Sequence, residues 1–262
     1  MTNQSAFPPG TFSPDPRPST VAAMLAAQYR LELTLLLRNG EQLLLTMFIP
    51  ITLLIGLTVL PLGPFGDGHA ERVTTVLPVI MSLAVIATAF TGQAIAVAFD
   101  RRYGALKRLG ATALPVWGII AGKSMAVATV VLLQSVVLGS IGAVLGWRPA
   151  VTGLGLGAVV IALGTACFAA LGLLLGGTLR AEIVLAVANL MWFVFGGFCA
   201  LTVHTDLVPA ALRWLARLTP SGALTEALNQ ALTVSVDWFG IAVVAGWGVL
   251  AAVGALRWFR FS

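Results

Sequence analysis

The sequence predicts an all-α integral membrane protein. It has six transmembrane helices, an N-terminal interfacial helix and an outer re-entrant helical pair before the last span. Three observations carry this prediction. The 262-residue chain is 58% hydrophobic and 10% charged, whereas an ordinary soluble domain is about 25% charged. Its mean hydropathy is +0.97. Apolar runs of the length that crosses about 30 Å of hydrocarbon recur along it, and they are far too long for barrel strands. Such a composition excludes a soluble enzyme, a nucleic-acid-binding domain and a disordered chain.

The elements follow in order. Residues 1–19 are rich in Pro, Ser and Thr and lack the charged-then-apolar pattern of a signal peptide. They read as a disordered cytoplasmic tail, and residues 20–262 as a single membrane domain. Residues 20–38 form the interfacial helix, with Ser19 or Thr20 capping its start. Arg30 and Glu32 sit at its centre. There a lone Arg costs about 2.5–3.5 kcal/mol on insertion, which argues for lying in the interface. A seventh span over these residues is the alternative. The six spans cover about 43–62, 73–99, 118–147, 151–179, 183–203 and 238–258. Pro50 and Pro78 are tolerable where neighbours re-satisfy the backbone, and Trp238 and Trp258 anchor the last span at both interfaces.

The charge of +5 and pI near 10 are then topology signals. With the N-terminus inside, the inner side holds Arg17, Arg30, Arg38, Arg101, Arg102, Lys107, Arg108, Lys123, Arg180, Arg257 and Arg260. The outer side holds Arg72, Arg148, Arg213 and Arg217. This bias predicts both termini in the cytoplasm of a multi-pass protein in the cell membrane. Inner Arg residues also touch anionic lipid, and no nucleic acid is expected.

Two segments outside the spans stand out. Residues 100–115 begin Asp100-Arg101-Arg102-Tyr103-Gly104-Ala105-Leu106-Lys107-Arg108-Leu109. The stretch is short, basic and helix-compatible. Tyr103, Leu106 and Leu109 share one arc, with Arg101 and Arg108 opposite. It is either an ordinary positive-inside loop or a helix that docks a soluble partner through its apolar side. Residues 207–234 hold two amphipathic helices broken at Thr219-Pro220. Val208, Ala211, Leu212 and Leu215 form one stripe. Leu224, Ala227, Leu228, Ala231 and Leu232 form the next, with Glu226 on the other face. They either lie on the surface or close the outer end of a pathway, with Leu215, Pro220, Leu224 and Glu226 as gate residues.

Several motifs fail. Gly118-Ile-Ile-Ala-Gly122-Lys123-Ser124 imitates a phosphate loop, but three residues instead of four separate the glycines and a span follows directly. The chain therefore shows no ATPase engine, and no Ser/His/Asp catalytic arrangement is visible. His69 and His204 lack a second ligand at metal spacing, so no metal site is expected. Cys167 and Cys199 read as small buried hydrophobes. The spans contain Gln93, Gln134 and Asn189 but no ionisable group at mid-membrane, unlike most ion-driven pumps. Gly142/Gly146, Gly153/Gly157 and Gly172/Gly176 stand four apart, a spacing that permits close helix approach but is weak in a chain with 28 glycines.

The run Asp100 to Lys123 resembles the most recognisable segment of the ABC-2 type permeases, matching at Gly104, Leu106, Lys107, Arg108, Leu109, Thr112, Leu114, Gly122 and Lys123. It departs at Ala113 and Val116, where the family commonly has Pro and Arg. Leu218-Thr219-Pro220 and the overall plan from Thr20 onward are also similar. The resemblance implies the membrane subunit of a bacterial ABC exporter, closest to the drug-resistance branch. It implies a second permease copy or paralogue and two copies of a cytoplasmic ATP-binding subunit. That partner would hold ATP and Mg²⁺, and this chain would bind no cofactor. Arg101, Arg102, Tyr103, Gly104, Leu106, Lys107, Arg108, Leu109 and Thr112 would form the coupling helix. Apolar walls with scattered hydroxyls suit a drug-like or lipid cargo. The competing readings are a membrane enzyme acting on a lipid or isoprenoid and a non-transporting structural subunit.

Overall fold

The computed structural model describes residues 19–60, 65–203 and 208–258. Most of the N-terminal tail, Leu62, His204 and Leu207 lie outside them. The helices are α1 (Val21–Arg38), α2 (Gly40–Val59), α3 (His69–Val85), a π-helical segment (Ile86–Gly92), α4 (Gln93–Arg102) and α5 (Ala105–Gly110). They continue as α6 (Val116–Val144), α7 (Val151–Thr178), α8 (Ala181–Ala200), α9 (Ala210–Leu218), α10 (Pro220–Leu232) and α11 (Trp238–Trp258). Among the described residues there is no strand. Six helices are long and apolar enough to cross a membrane: α2, the continuous α3–π–α4 helix, α6, α7, α8 and α11.

The α3–π–α4 helix is the most buried of the six and forms the central post. Its π turns rotate the polar side chains so that each meets a different neighbour. Thr88 Oγ1 donates to Gln134 Oε1 on α6 at 2.9 Å, and Gln134 Nε2 donates to the Thr46 carbonyl on α2 at 3.3 Å. Phe90 packs edge-on against Phe168 of α7 and Phe195 of α8 at 6.4 and 5.5 Å.

Glycines let α7 reach that post. A Cβ at Gly172 would lie 2.9 and 2.8 Å from the carbonyls of Ala89 and Phe90. One at Gly176 would collide with the Ala94 carbonyl. This pair of small residues is therefore a real helix crossing. Gly153 and Gly157 receive Leu232 of α10 instead. Gly146 has left the helix with φ +106°, yet Gly142 and Gly146 both face α3, at Leu77 and Ala70.

Helix α10 is inserted, not surface-lying. Leu232 meets Gly153, and Leu224 meets Gly164 eleven positions along α7, a depth of about 16 Å at 1.5 Å per residue. Its tip is held by the Trp247 indole N–H, which donates to the Leu218 carbonyl at 3.0 Å. Thr219 caps α10 and Pro220 opens its first turn. Helix α9 differs: Leu212, Leu215 and Leu218 on it are exposed. Arg217 on α9 pairs with Asp237 at the start of α11 at 2.8 Å.

Helix α1 begins at its Thr20 cap and falls short of the span criteria. It inverts the usual amphipathic arrangement. Gln28 and Glu32 face the protein, while Leu31, Leu35 and Leu37 are exposed. The polar side meets α6, where Gly122 leaves room for Gln28.

The glycine crossing yields a stability prediction. Gly172→Val should lower the melting midpoint of purified protein by about 5 °C or more through overpacking. Gly155→Ala, which faces open space, should leave it unchanged or slightly higher. Scanning fluorimetry of both variants decides the matter. Equal midpoints would refute the close crossing.

Candidate coupling surface and cargo wall

The basic segment is built by the end of one helix and a glycine hinge. Helix α4 runs through Arg102, so Asp100, Arg101 and Arg102 belong to the central post rather than to a loop. Gly104 then takes φ +71°, a left-handed conformation that favours glycine, and α5 starts in a new direction. Thr112 closes the segment, its hydroxyl donating to the Leu109 carbonyl at 2.6 Å.

The nine residues expected to form a coupling helix divide into two groups. Leu106 is 0% exposed. It is packed in a cluster with Val97 of α4, Ile119 of α6, Leu173 of α7 and Ala255 of α11, and Leu109 leans on the same cluster. The apolar side of α5 is thus filled by the chain's own core, which corrects the expectation that it inserts into a partner. Arg101 also turns inward and donates to the carbonyls of Gly177 and Leu179. It neutralises the C-terminal end of α7, where carbonyls lack helical partners and the helix dipole is negative. Arg102 pairs with Glu182 at the start of α8. What remains free to meet another molecule is Tyr103, Lys107, Arg108 and Thr112, all exposed. These face outward while Leu106 ties the same helix to four others.

Beneath this surface lies an ion network that the sequence analysis did not assemble. Lys123 Nζ sits 2.9 Å from Glu32 of α1 and 2.6 Å from Asp100 of α4. Gln28 Nε2 donates to the other Glu32 oxygen at 2.6 Å. Lys123 and Glu32 are buried, and Asp100 is partly exposed. The signal was present: Glu32 stands near the centre of α1 and Lys123 inside the otherwise apolar α6. Their 91-residue separation hid the pairing. Lys123 thus compensates the burial of Glu32.

A cavity of about 490 Å³ opens between α2, the π segment and α8. Asn39, Gln42, Thr46, Thr91 and Asn189 line it together with Ile49, Trp192 and Phe193. Among the described residues the Trp192 indole N–H has no partner. The four gate residues do not form one site. Leu215 lies on the exposed face of α9, whereas Pro220 and Leu224 are core. Glu226 accepts from Gln230 and borders a smaller pocket with Arg213 and Arg217.

Five apolar helices around a glycine-packed sixth, with α10 inserted among them, make a multi-pass membrane protein. The chain belongs to the ABC-2 type transporter family, whose sequence profile matches residues 25–233. Permeases of this family generally work with an ATP-binding subunit. A search of curated proteins finds no significant match.

The ion network yields a second prediction. Lys123→Met leaves two carboxylates without their cation and should cost about 3 kcal/mol. Glu32→Gln should cost less, and adding it to Lys123→Met should recover part of the loss. Unfolding of the single and double variants gives the coupling energy, and additive effects would exclude the pairing.

Proposed function

We propose that this chain is the permease subunit of an exporter driven by ATP hydrolysis in a separate cytoplasmic subunit. Two copies of that subunit, carrying ATP and Mg²⁺, serve a pair of permeases, each formed by this chain or a paralogue. The surface of Tyr103, Lys107, Arg108 and Thr112 meets the ATP-binding subunit. The observation that carries this reading is the two-sided character of α5. Charged groups face out, and Leu106 is locked into α4, α6, α7 and α11. A push on the outer side must move those helices together. ATP then acts only through its different affinity for two arrangements of the spans.

The positive-inside bias supports a cytoplasmic α5 and cytoplasmic termini. The cargo passes along the cavity between α2 and α8. Amides and hydroxyls beside Trp192 and Phe193 suit an amphipathic or hydrophobic molecule, either drug-like or lipid. Asn189 donates one amide N–H to the Leu185 carbonyl of its own helix and keeps its amide oxygen on this exposed face, which favours a second permease covering it.

Co-expression with the ATP-binding subunit tests the reading. Lys107→Glu with Arg108→Glu should cut co-purification of the ATPase about tenfold while leaving the melting midpoint within about 2 °C, because both side chains are exposed. Leu106→Ala should do the opposite, lowering stability and transport-coupled ATPase activity with docking retained. Undiminished docking of the charge-reversed variant would overturn the assignment.

A further inference from the structure

A groove of about 790 Å³ runs between α6 and α7, below the short turn that joins them. It lies apart from the cavity facing α8 and plays no part in the proposed transport path. Its size falls within the range of about 300–1,000 Å³ that binds small molecules. Leu132, Val136, Leu154 and Ala158 line its sides, and Met81 and Trp147 contribute to its inner wall.

The groove is chemically unlike the cavity beside α8. Thr129, Ser135, Ser140 and Thr165 all border it, yet each hydroxyl donates to a carbonyl four residues back on its own helix. These donors are spent, so the walls present hydrocarbon. At the turn end stands Arg148. Its Nη1 donates to the carbonyls of Ala143 and Trp147. Among the described residues it makes no ion pair, and its remaining N–H groups are unpaired. A lone guanidinium at the end of an apolar slot between two spans calls for an apolar ligand with an anionic end.

We propose that the groove binds one phospholipid, with an acyl chain between α6 and α7 and its phosphate on Arg148. A second permease copy is the competing occupant, and a change of oligomer size would reveal it. Apolar cargo without an anion leaves that charge unmet. The lipid is a resident component that fills the gap between diverging helices. The proposal does not depend on the cargo or on the ATP-binding subunit.

Native mass spectrometry of the full chain, exchanged into detergent with dioleoyl phosphatidylglycerol or dioleoylglycerol, tests it. Wild type should retain one phosphatidylglycerol per chain after delipidation that strips other lipid. Ala158→Trp, which fills the groove, should abolish that retention, whereas Val159→Trp on the neighbouring exposed face should preserve it. Arg148→Gln should weaken phosphatidylglycerol retention about fivefold and leave dioleoylglycerol unaffected, and Arg148→Lys should restore most of it. Arg148 is exposed, so these variants keep the fold. Equal lipid retention by Ala158→Trp and wild type would overturn the proposal. So would indifference of phosphatidylglycerol to Arg148→Gln, or a change of oligomer size in place of lipid loss.

Discussion

Where the central post crosses α7, backbone meets backbone. In a bilayer, lipid tails are as apolar as leucine, so helices gain little by hiding apolar side chains from their surroundings. Close packing of small residues supplies the attraction instead. Gly172 and Gly176 bring α7 onto the carbonyls of Ala89, Phe90 and Ala94. The contact fixes the height at which α4 emerges beside the end of α7, and Arg101 can then reach the carbonyls of Gly177 and Leu179. Helix α5 hangs from that junction. Leu106 finds its pocket only because α4, α6, α7 and α11 converge there. The inserted α10 uses the same device higher on α7, at Gly153, Gly157 and Gly164.

Polar groups are distributed by the same economy. Charges inside the described spans are few, and Lys123 serves two carboxylates from two other helices. Gln134 bridges the π segment to α2 through both ends of its amide. Such links are directional, unlike dispersion contacts, and hold three helices in a definite register. Glu32 makes α1 a part of this frame. That explains why its polar face points inward and its leucines outward, toward the medium that surrounds the spans.

A transport subunit must also be able to change shape. The π segment sits at the crossing of α6, α7 and α8, where a wide turn departs from regular helix. Gly104, at φ +71°, makes the turn between the post and α5. Between them lies α4, held by Arg101 and by Asp100. Helix α4 thus links α5 to a π turn facing the α2–α8 cavity. Ligand-dependent changes need such discrete, packed elements.

Much of this was legible in the chain. The spans, the Thr20 cap, the break at Thr219-Pro220 and the α10 stripe follow from hydropathy, capping chemistry and 3.6-residue periodicity, all of which act over a few residues. The family resemblance of Asp100 to Lys123 rested on a local run of the same kind. Facing was not legible. Tyr103, Leu106 and Leu109 share an arc by periodicity, but only the packed structure shows Leu106 inside and Tyr103 outside. In a membrane protein both the core and the surroundings accept leucine, so hydrophobicity alone cannot tell inward from outward. The π segment has no sequence signature in Ile86–Gly92, and the pairing of Glu32 with Lys123 depends on α1 folding back onto α6. The sequence by itself determined six apolar spans and their approximate places along the chain, because those are short-range properties. Which faces meet, which arginines are spent on helix ends and where the ion network closes were decided by tertiary structure, because those contacts join residues far apart in the chain.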